Sequence, residues 1–359
     1  MTIYLDYQAT TPVAPEVRVA MRPWLDEKFA NPHSAHKMGR EAAAAVELAR
    51  EAIAELLPRE GRVYFTSGAT EALNWALRGV PGRGGLLIAE TEHAAVRDTA
   101  LWLQKDRRKV ALLPVGADGL LATGFKIPKG TQLVSTMLVN NEIGVIQPIS
   151  ELAEAAHQAG ALFLCDAVQG FGRMEIPDGP DLIAISAHKI HGPKGIGALW
   201  VRDGIELTPL MHGGGQEQGL RSGTLSPALC AGFGAAAQLA AQRMEQDDAH
   251  VALLSDHAIA AFSDWTVNGS TIHRYKGNLN IRRDGVDVGR LMSECRNIAF
   301  SAGSACASGS GRPSHVLSAL GLSQTQAKSS IRLGFGRYTT LAEIDIAAEA
   351  INRAAGAML

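Results

Sequence analysis

The 359-residue sequence carries 34 basic and 36 acidic side chains, and 46% of its residues are hydrophobic. That composition can bury a large core, and it lacks the basic stripe of a nucleic-acid binder or an anionic-membrane surface, so neither nucleic acid nor membrane is expected as a partner. No apolar stretch approaches the roughly 18 residues of a membrane-spanning helix. Met1-Thr-Ile-Tyr-Leu-Asp6 has neither the basic nor the apolar region of a signal peptide, which predicts a cytoplasmic protein. Its four cysteines, Cys165, Cys230, Cys295 and Cys306, show no CxxC spacing, so free thiols are expected and neither a disulfide framework nor a metal site.

Tyr4-Leu-Asp6-Tyr-Gln-Ala-Thr10-Thr11-Pro12 reads as extended chain, residues 15–24 as a helix with proline at its start, and Asn31-Pro-His33-Ser-Ala-His36 as a loop. Over residues 39–57, Val46, Ala49, Ile53 and Leu56 or Leu57 fall on one stripe at helical spacing, which predicts a long amphipathic helix. After Gly61, apolar runs at 63–66, 86–89, 133–139, 161–165, 182–186 and 197–201 alternate with helical stretches. The helix over 151–158 has Pro148 ahead of it, Ser150 as N-cap, Glu151 and Glu154 near its positive end, and Gly160 to stop it. Such alternation predicts right-handed βαβ units, an α/β fold with a mostly parallel sheet flanked by helices.

The glycine-dense run from Met211 to Thr224 suits neither strand nor helix and predicts a shaped loop. An alanine-rich helix over about 227–245 then leaves the large domain, expected to span 13–245. Residues 1–12 and 246–359, which include Asn278-Leu-Asn-Ile-Arg282 and Ser330-Ile-Arg332-Leu-Gly-Phe, form a smaller α+β domain. No internal repeat or low-complexity segment is visible.

Polar groups fall at the carboxyl ends of the predicted strands. Ser67-Gly68-Ala69-Thr70 follows the first, then come His93, Asn141, Asp166 and His188-Lys189. In an open α/β sheet those ends form the crevice where ligands bind. The run at 182–186 delivers the Ser186 hydroxyl, an imidazole and an amine within four residues, and Asp166 ends the run before it. A carboxylate and then a lysine at the ends of successive buried strands are what a pyridoxal phosphate site needs: the lysine for a Schiff base, the carboxylate for the pyridinium nitrogen.

Ser186-Ala-His188-Lys189-Ile-His-Gly-Pro-Lys-Gly, Asp166-Ala-Val-Gln169, Asn140-Asn141-Glu-Ile-Gly, Gly213-Gly-Gly-Gln-Glu and Ser304-Ala-Cys306 carry a resemblance that runs from Tyr4 to about Arg337. Through them the chain resembles the class I (NifS/IscS-type) cysteine desulfurases, fold-type I pyridoxal phosphate enzymes of the class V aminotransferase group. The resemblance implies that Lys189 carries the cofactor and moves the substrate's Cα proton, and that Asp166 pairs with the ring nitrogen. Gln169 and Asn141 reach the phenolic oxygen, and His93 stacks on the ring and relays protons. Gly68, Ala69, Thr70, Ser186 and His188 hold the phosphate, and Thr224 reaches the phosphate of the other subunit of a homodimer.

Arg332, with Asn31 on the opposite lip of the cleft, is implied to hold the carboxylate of L-cysteine; Leu333-Gly334 stand where relatives more often carry a serine. Cys306 is implied to take the substrate's sulfur as a persulfide, to contact an iron–sulfur cluster in passing, and to hand sulfur to an acceptor protein. Ten of the twelve residues from Ser301 to Arg312 are Gly, Ala or Ser, a composition suited to a movable loop. The chain runs about one helix past Arg337, short of the extension with which some relatives grip an iron–sulfur scaffold, and the acceptor is left unidentified. Cys165 and Cys230 read as core thiols and Cys295 is left undecided. The rival readings are an aminotransferase or a C–S lyase on the same scaffold, which Cys306 speaks against, and a non-catalytic assembly partner, which Lys189, Asp166 and Cys306 together speak against.

Overall fold

Seven runs build the central sheet: β1 (Gly61–Thr66), β2 (Gly85–Ala89), β3 (Val110–Leu113), β4 (Thr131–Met137), β5 (Leu162–Asp166), β6 (Leu182–Ser186) and β7 (Gly197–Arg202). The computed structural model describes residues 2–122, 124–303 and 314–359. The strand order is β1-β7-β6-β5-β4-β2-β3. β2 to β6 run parallel, and β7 alone is antiparallel to both neighbours, β1 and β6. Every residue of β6 is buried, as expected of a strand covered on both faces.

Side chains alternate between those faces. Val63 and Phe65 of β1 join a core with the helices Lys37–Ala54 and Pro227–Ala261. Tyr64 joins another with the helices Ala69–Gly79 and Ala94–Lys105. The sheet and its flanking layers match the α/β expectation, with differences in three places. β3 was not anticipated: it is an edge strand of only four residues, Val-Ala-Leu-Leu, apolar like its neighbours but with Leu112 47% exposed. Ser150 is not an N-cap. Pro148 holds that position, and the Ser150 hydroxyl, inside the first turn, donates to the Asp178 carbonyl at 3.1 Å. Proline's fixed φ allows the helix to begin directly after it.

The third difference is the helix expected to stop near residue 245. It is one helix, Pro227–Ala261. No glycine or proline interrupts it after Gly234, and Val251, Leu254 and Ala258 continue a buried stripe at helical spacing. The division expected at 245/246 therefore falls inside a continuous element.

A second sheet has four antiparallel strands in the order Ser301–Ala302, Ser330–Gly334, Asn278–Arg282, Thr266–Val267. Its core includes Leu279, Ile281, Ile331 and Leu333 with Leu254 and Ala258 of the long helix. The N-terminal segment begins beside it, Ile3–Tyr4 pairing in parallel with Ile298–Ala299. From there it crosses to the large sheet, where the Thr11 N–H donates to the His188 carbonyl at 3.0 Å.

Candidate active site

The carboxyl ends of the strands open onto a cavity of about 560 Å³. After β1 the chain turns through Gly68 into the helix Ala69–Gly79. That helix has no side-chain cap, so its first N–H groups remain available to an anion. The turn can lie this close only because β7 starts with Gly197. A Cβ there would stand 2.6 Å from the Ile185 carbonyl oxygen and 2.8 Å from the Gly68 Cα. Glu71 in the first turn accepts from the Ser67 N–H at 2.7 Å and from Arg221 at 2.7 and 3.1 Å.

Beyond β2, the His93 Nδ1 accepts from the Ala95 N–H at 3.1 Å and caps the helix Ala94–Lys105. In the neutral ring this leaves the proton on Nε2. Burial lowers the His93 pKa, which favours that neutral ring. After β4, the Asn140 side chain shapes the turn: its Oδ1 accepts from the N–H groups of Glu142 and Ile143 at 2.9 and 3.0 Å, and its Nδ2 donates to the Thr91 carbonyl at 2.9 Å. The two turns are thus tied together beside Asn141.

Asp166 ends β5 almost fully buried and accepts from the Val168 N–H at 3.0 Å. Burial raises its pKa, while His93, that N–H and Lys189 pull the other way. Lys189 follows β6 on the short turn Ala187–Lys189. Its Nζ donates to the carbonyls of Gln8 and, at 2.8 Å, Ala9. Burial first, then the charges of Arg173 and Arg332, bring its pKa down to about 7, against the pull of Asp166 and Asp6. An amine so poised is a nucleophile and a base near neutral pH.

Arg332 reaches the cavity from the second sheet with no exposed surface. Nη1 donates to the Asn141 carbonyl at 3.0 Å, and Nη2 to Asp6 at 2.6 Å and to the Ser301 hydroxyl at 3.3 Å. Its Nε is buried and has no hydrogen-bond partner among the described residues.

Gly68, Ala69, Thr70, His93, Asn141, Asp166, Gln169, Ser186, His188, Lys189 and Arg332 all line this one cavity. Asn31 does not. It is exposed, and its carboxamide oxygen accepts from the His33 N–H at 2.9 Å in a local turn. Thr224 is also exposed and away from the cavity of its own chain. It sits on the glycine-rich loop, which is anchored through Glu217. That buried carboxylate accepts from the Phe65 N–H at 2.7 Å and from both terminal nitrogens of Arg50 at 2.8 Å. Losing one member of such a buried pair typically costs about 3–5 kcal/mol. Cys306 lies outside the described residues. Among those described, no group of three or more His, Cys, Asp and Glu side chains is placed to hold a metal ion, and no helix is long and apolar enough to cross a membrane.

Residues 3–346 match the family described as aminotransferase class-V. The chain belongs to that family. Cysteine desulfurase IscS of Rickettsia bellii is 44% identical over 98% of this chain and 90% of its own length. The protein of the same name from Rickettsia akari is 43% identical over the same shares. Among solved structures, a NifS-like protein superposes with a TM-score of 0.91 at 32% identity, covering 98% of this chain and 99% of the other. A structure described as SspA in complex with cysteine gives 0.83 at 36% identity, over 94% and 100%.

Sequence reasoning missed several groups in this member of the family. The carbonyls of Gln8 and Ala9 are backbone atoms with no side-chain signature. Asp6 and Glu142 lie inside motifs quoted for other residues. Glu92 is wholly buried, its carboxyl driven towards the neutral form by burial and by Asp166. Glu142 accepts from the Ser314 hydroxyl at 2.5 Å, and burial lifts its pKa to about 7, with Ser314 and Arg332 opposing.

The sign of the Glu142 effect follows directly. Below pH 4.5, the ordinary value, it is protonated folded or unfolded. Between there and about 7 only the unfolded chain ionises, so stability falls as pH rises. Glu142→Gln is therefore expected to melt like the wild type near pH 4.5 and to be more stable at pH 8, by up to roughly 3 kcal/mol. Melting temperatures of both proteins across that range measure it, and an equal gap at both ends refutes the assignment.

Proposed function

We propose that the chain is a pyridoxal phosphate-dependent cysteine desulfurase, active as a homodimer, that converts L-cysteine to L-alanine and passes the sulfur through Cys306 to an acceptor protein. The observation that carries it is the convergence of Lys189, Asp166, His93 and Arg332 on one cavity. The relatives bearing the name cysteine desulfurase narrow the reaction.

The residues present fit the cofactor. The uncapped helix start at Gly68, Ala69 and Thr70, with Ser186 and His188, suits a phosphate, and Thr224 of the partner subunit would complete it. The Asp166 carboxylate suits a protonated ring nitrogen, Gln169 and Asn141 suit the phenolic oxygen, and the Lys189 amine suits the aldehyde. Bound pyridoxal phosphate supplies an electron sink for the charge left when the substrate's Cα–H bond breaks.

The protein's own groups do the rest. Arg332 holds the substrate carboxylate, with Asp6 fixing the guanidinium. Lys189, with its depressed pKa, takes the Cα proton. His93 keeps its donor on Nε2, where it can pass a proton. The thiolate of Cys306 attacks the substrate sulfur: a sulfur–sulfur bond forms, the Cβ–S bond breaks with its electron pair staying on carbon, and protonation there yields alanine. The thiolate ends as a persulfide.

Cys306→Ser tests this reading. Serine is close in size but cannot accept sulfane sulfur. The mutant is expected to bind cysteine, while alanine and persulfide formation fall together by on the order of 10³-fold or more, since losing a catalytic nucleophile costs up to about 10⁶-fold. Mass spectrometry of the wild-type peptide carrying Cys306, after cysteine exposure, should show one added sulfur. Alanine produced at the normal rate by Cys306→Ser would make the protein a C–S lyase.

A further inference from the structure

Arg173 touches two of the groups that converge on the cavity without lining it. It follows Gln169 by one turn of chain, and its Nη1 donates to the Gln169 side-chain oxygen at 2.7 Å. Its Nη2 donates to the Lys189 carbonyl at 2.7 Å. The guanidinium lies over the Tyr275 ring, 5.2 Å from the centroid. Gln169 in turn donates from Nε2 to the Gln8 carbonyl at 3.0 Å, the same carbonyl that receives the Lys189 amine.

These contacts determine which way the Gln169 amide points. A guanidinium has only donors, so the atom facing Arg173 must be the amide oxygen, and a carbonyl only accepts, so the atom facing Gln8 must be the nitrogen. The remaining N–H of that nitrogen is left for the cavity, which Gln169 lines. An unrestrained glutamine amide could as easily turn its oxygen inward and repel an anionic ligand atom.

We propose that Arg173 is a positioning residue that locks the Gln169 amide with an N–H towards the cofactor's phenolic oxygen and clamps the backbone of Lys189 beside it. The proposal rests on reading the cavity as a pyridoxal phosphate site. The charged and titratable groups acting on Lys189 are Arg173, Arg332, Asp166 and Asp6, with His188 and His93 adjacent.

The test is a pH titration of the holoenzyme followed by the visible absorbance of the bound cofactor, with circular dichroism to confirm folding. Arg173→Met removes a positive charge and frees the amide, and both changes favour the proton-retaining form. The titration midpoint is expected to rise by about one pH unit. Arg173→Lys, which keeps the charge and a donor, should recover at least half of that shift. Gln169→Leu added to Arg173→Met should move the midpoint by less than it does alone, because the same donor is already lost. A wild-type midpoint in Arg173→Met, or fully additive shifts, overturns the proposal. If Arg173→Met does not fold, Gln169→Glu carries the test, since it turns an acceptor inward while Arg173 stays. Its midpoint must rise, and an unchanged value overturns the proposal. Wild-type protein without visible absorbance refutes the cofactor reading itself, a separate failure.

Discussion

Lys189→Ala is expected to abolish turnover, with a loss of about 10⁴-fold or more, the upper range for removing a general base alone. On the proposed reading the mutation also removes the covalent hold on the cofactor, so dialysis should strip colour from the mutant and not from the wild type. No neighbour substitutes. Lys194 also lines the cavity, but its side chain is exposed, whereas Lys189 is held by two backbone carbonyls. The measurement is visible absorbance before and after dialysis, with alanine production on the same samples. A folded mutant that keeps its colour and turns over would remove Lys189 from the chemistry.

Asp166→Asn is expected to cost about 10²–10³-fold in rate, the range for losing one preorganised electrostatic contact. The amide can still accept from the Val168 N–H, so the local fold should survive. It brings no negative charge to a protonated ring nitrogen. The cofactor should remain bound through Lys189 and the helix start at Gly68, which separates this mutant from Lys189→Ala. Steady-state alanine production alongside cofactor absorbance decides it, and near-wild-type turnover would show that the charge is not used.

The sheet was legible because parallel strands buried on both faces must be almost wholly apolar, so a cluster of polar residues after each run marks a strand end. Ser67, His93, Asn141, Asp166 and His188 all lie in such clusters. Val110–Leu113 escaped although all four of its residues are apolar, because so short a run at the sheet's edge gives little pattern to read. The helix from Pro227 was expected to end at about 245, although its buried stripe resumes at Val251. Asn31 was named for its motif, yet its side chain is committed to a local turn.

What the sequence could not reveal is contact made by backbone. The Lys189 amine depends on the carbonyls of Gln8 and Ala9, 181 and 180 residues away, and no residue type advertises a carbonyl. Arg173 was invisible for a related reason. An arginine in a turn is ordinarily a solvated surface residue, and only the folded register puts its fork between Gln169 and Lys189.

The helix Pro227–Ala261 carries a consequence for how the molecule comes apart. Its first half, with Cys230 and Phe233, belongs to the core under the seven-stranded sheet, and its second half, with Leu254 and Ala258, to the core of the four-stranded sheet. At 1.5 Å per residue its 35 residues form a rod of about 50 Å. Loss of either core strips one end of the rod, and a helix without its packing has little stability of its own. The two sheets are therefore expected to lose structure together, which hydrogen exchange of amides in each sheet measures. Free energy gained from a ligand on the large sheet accordingly protects amides on the small one that it never touches.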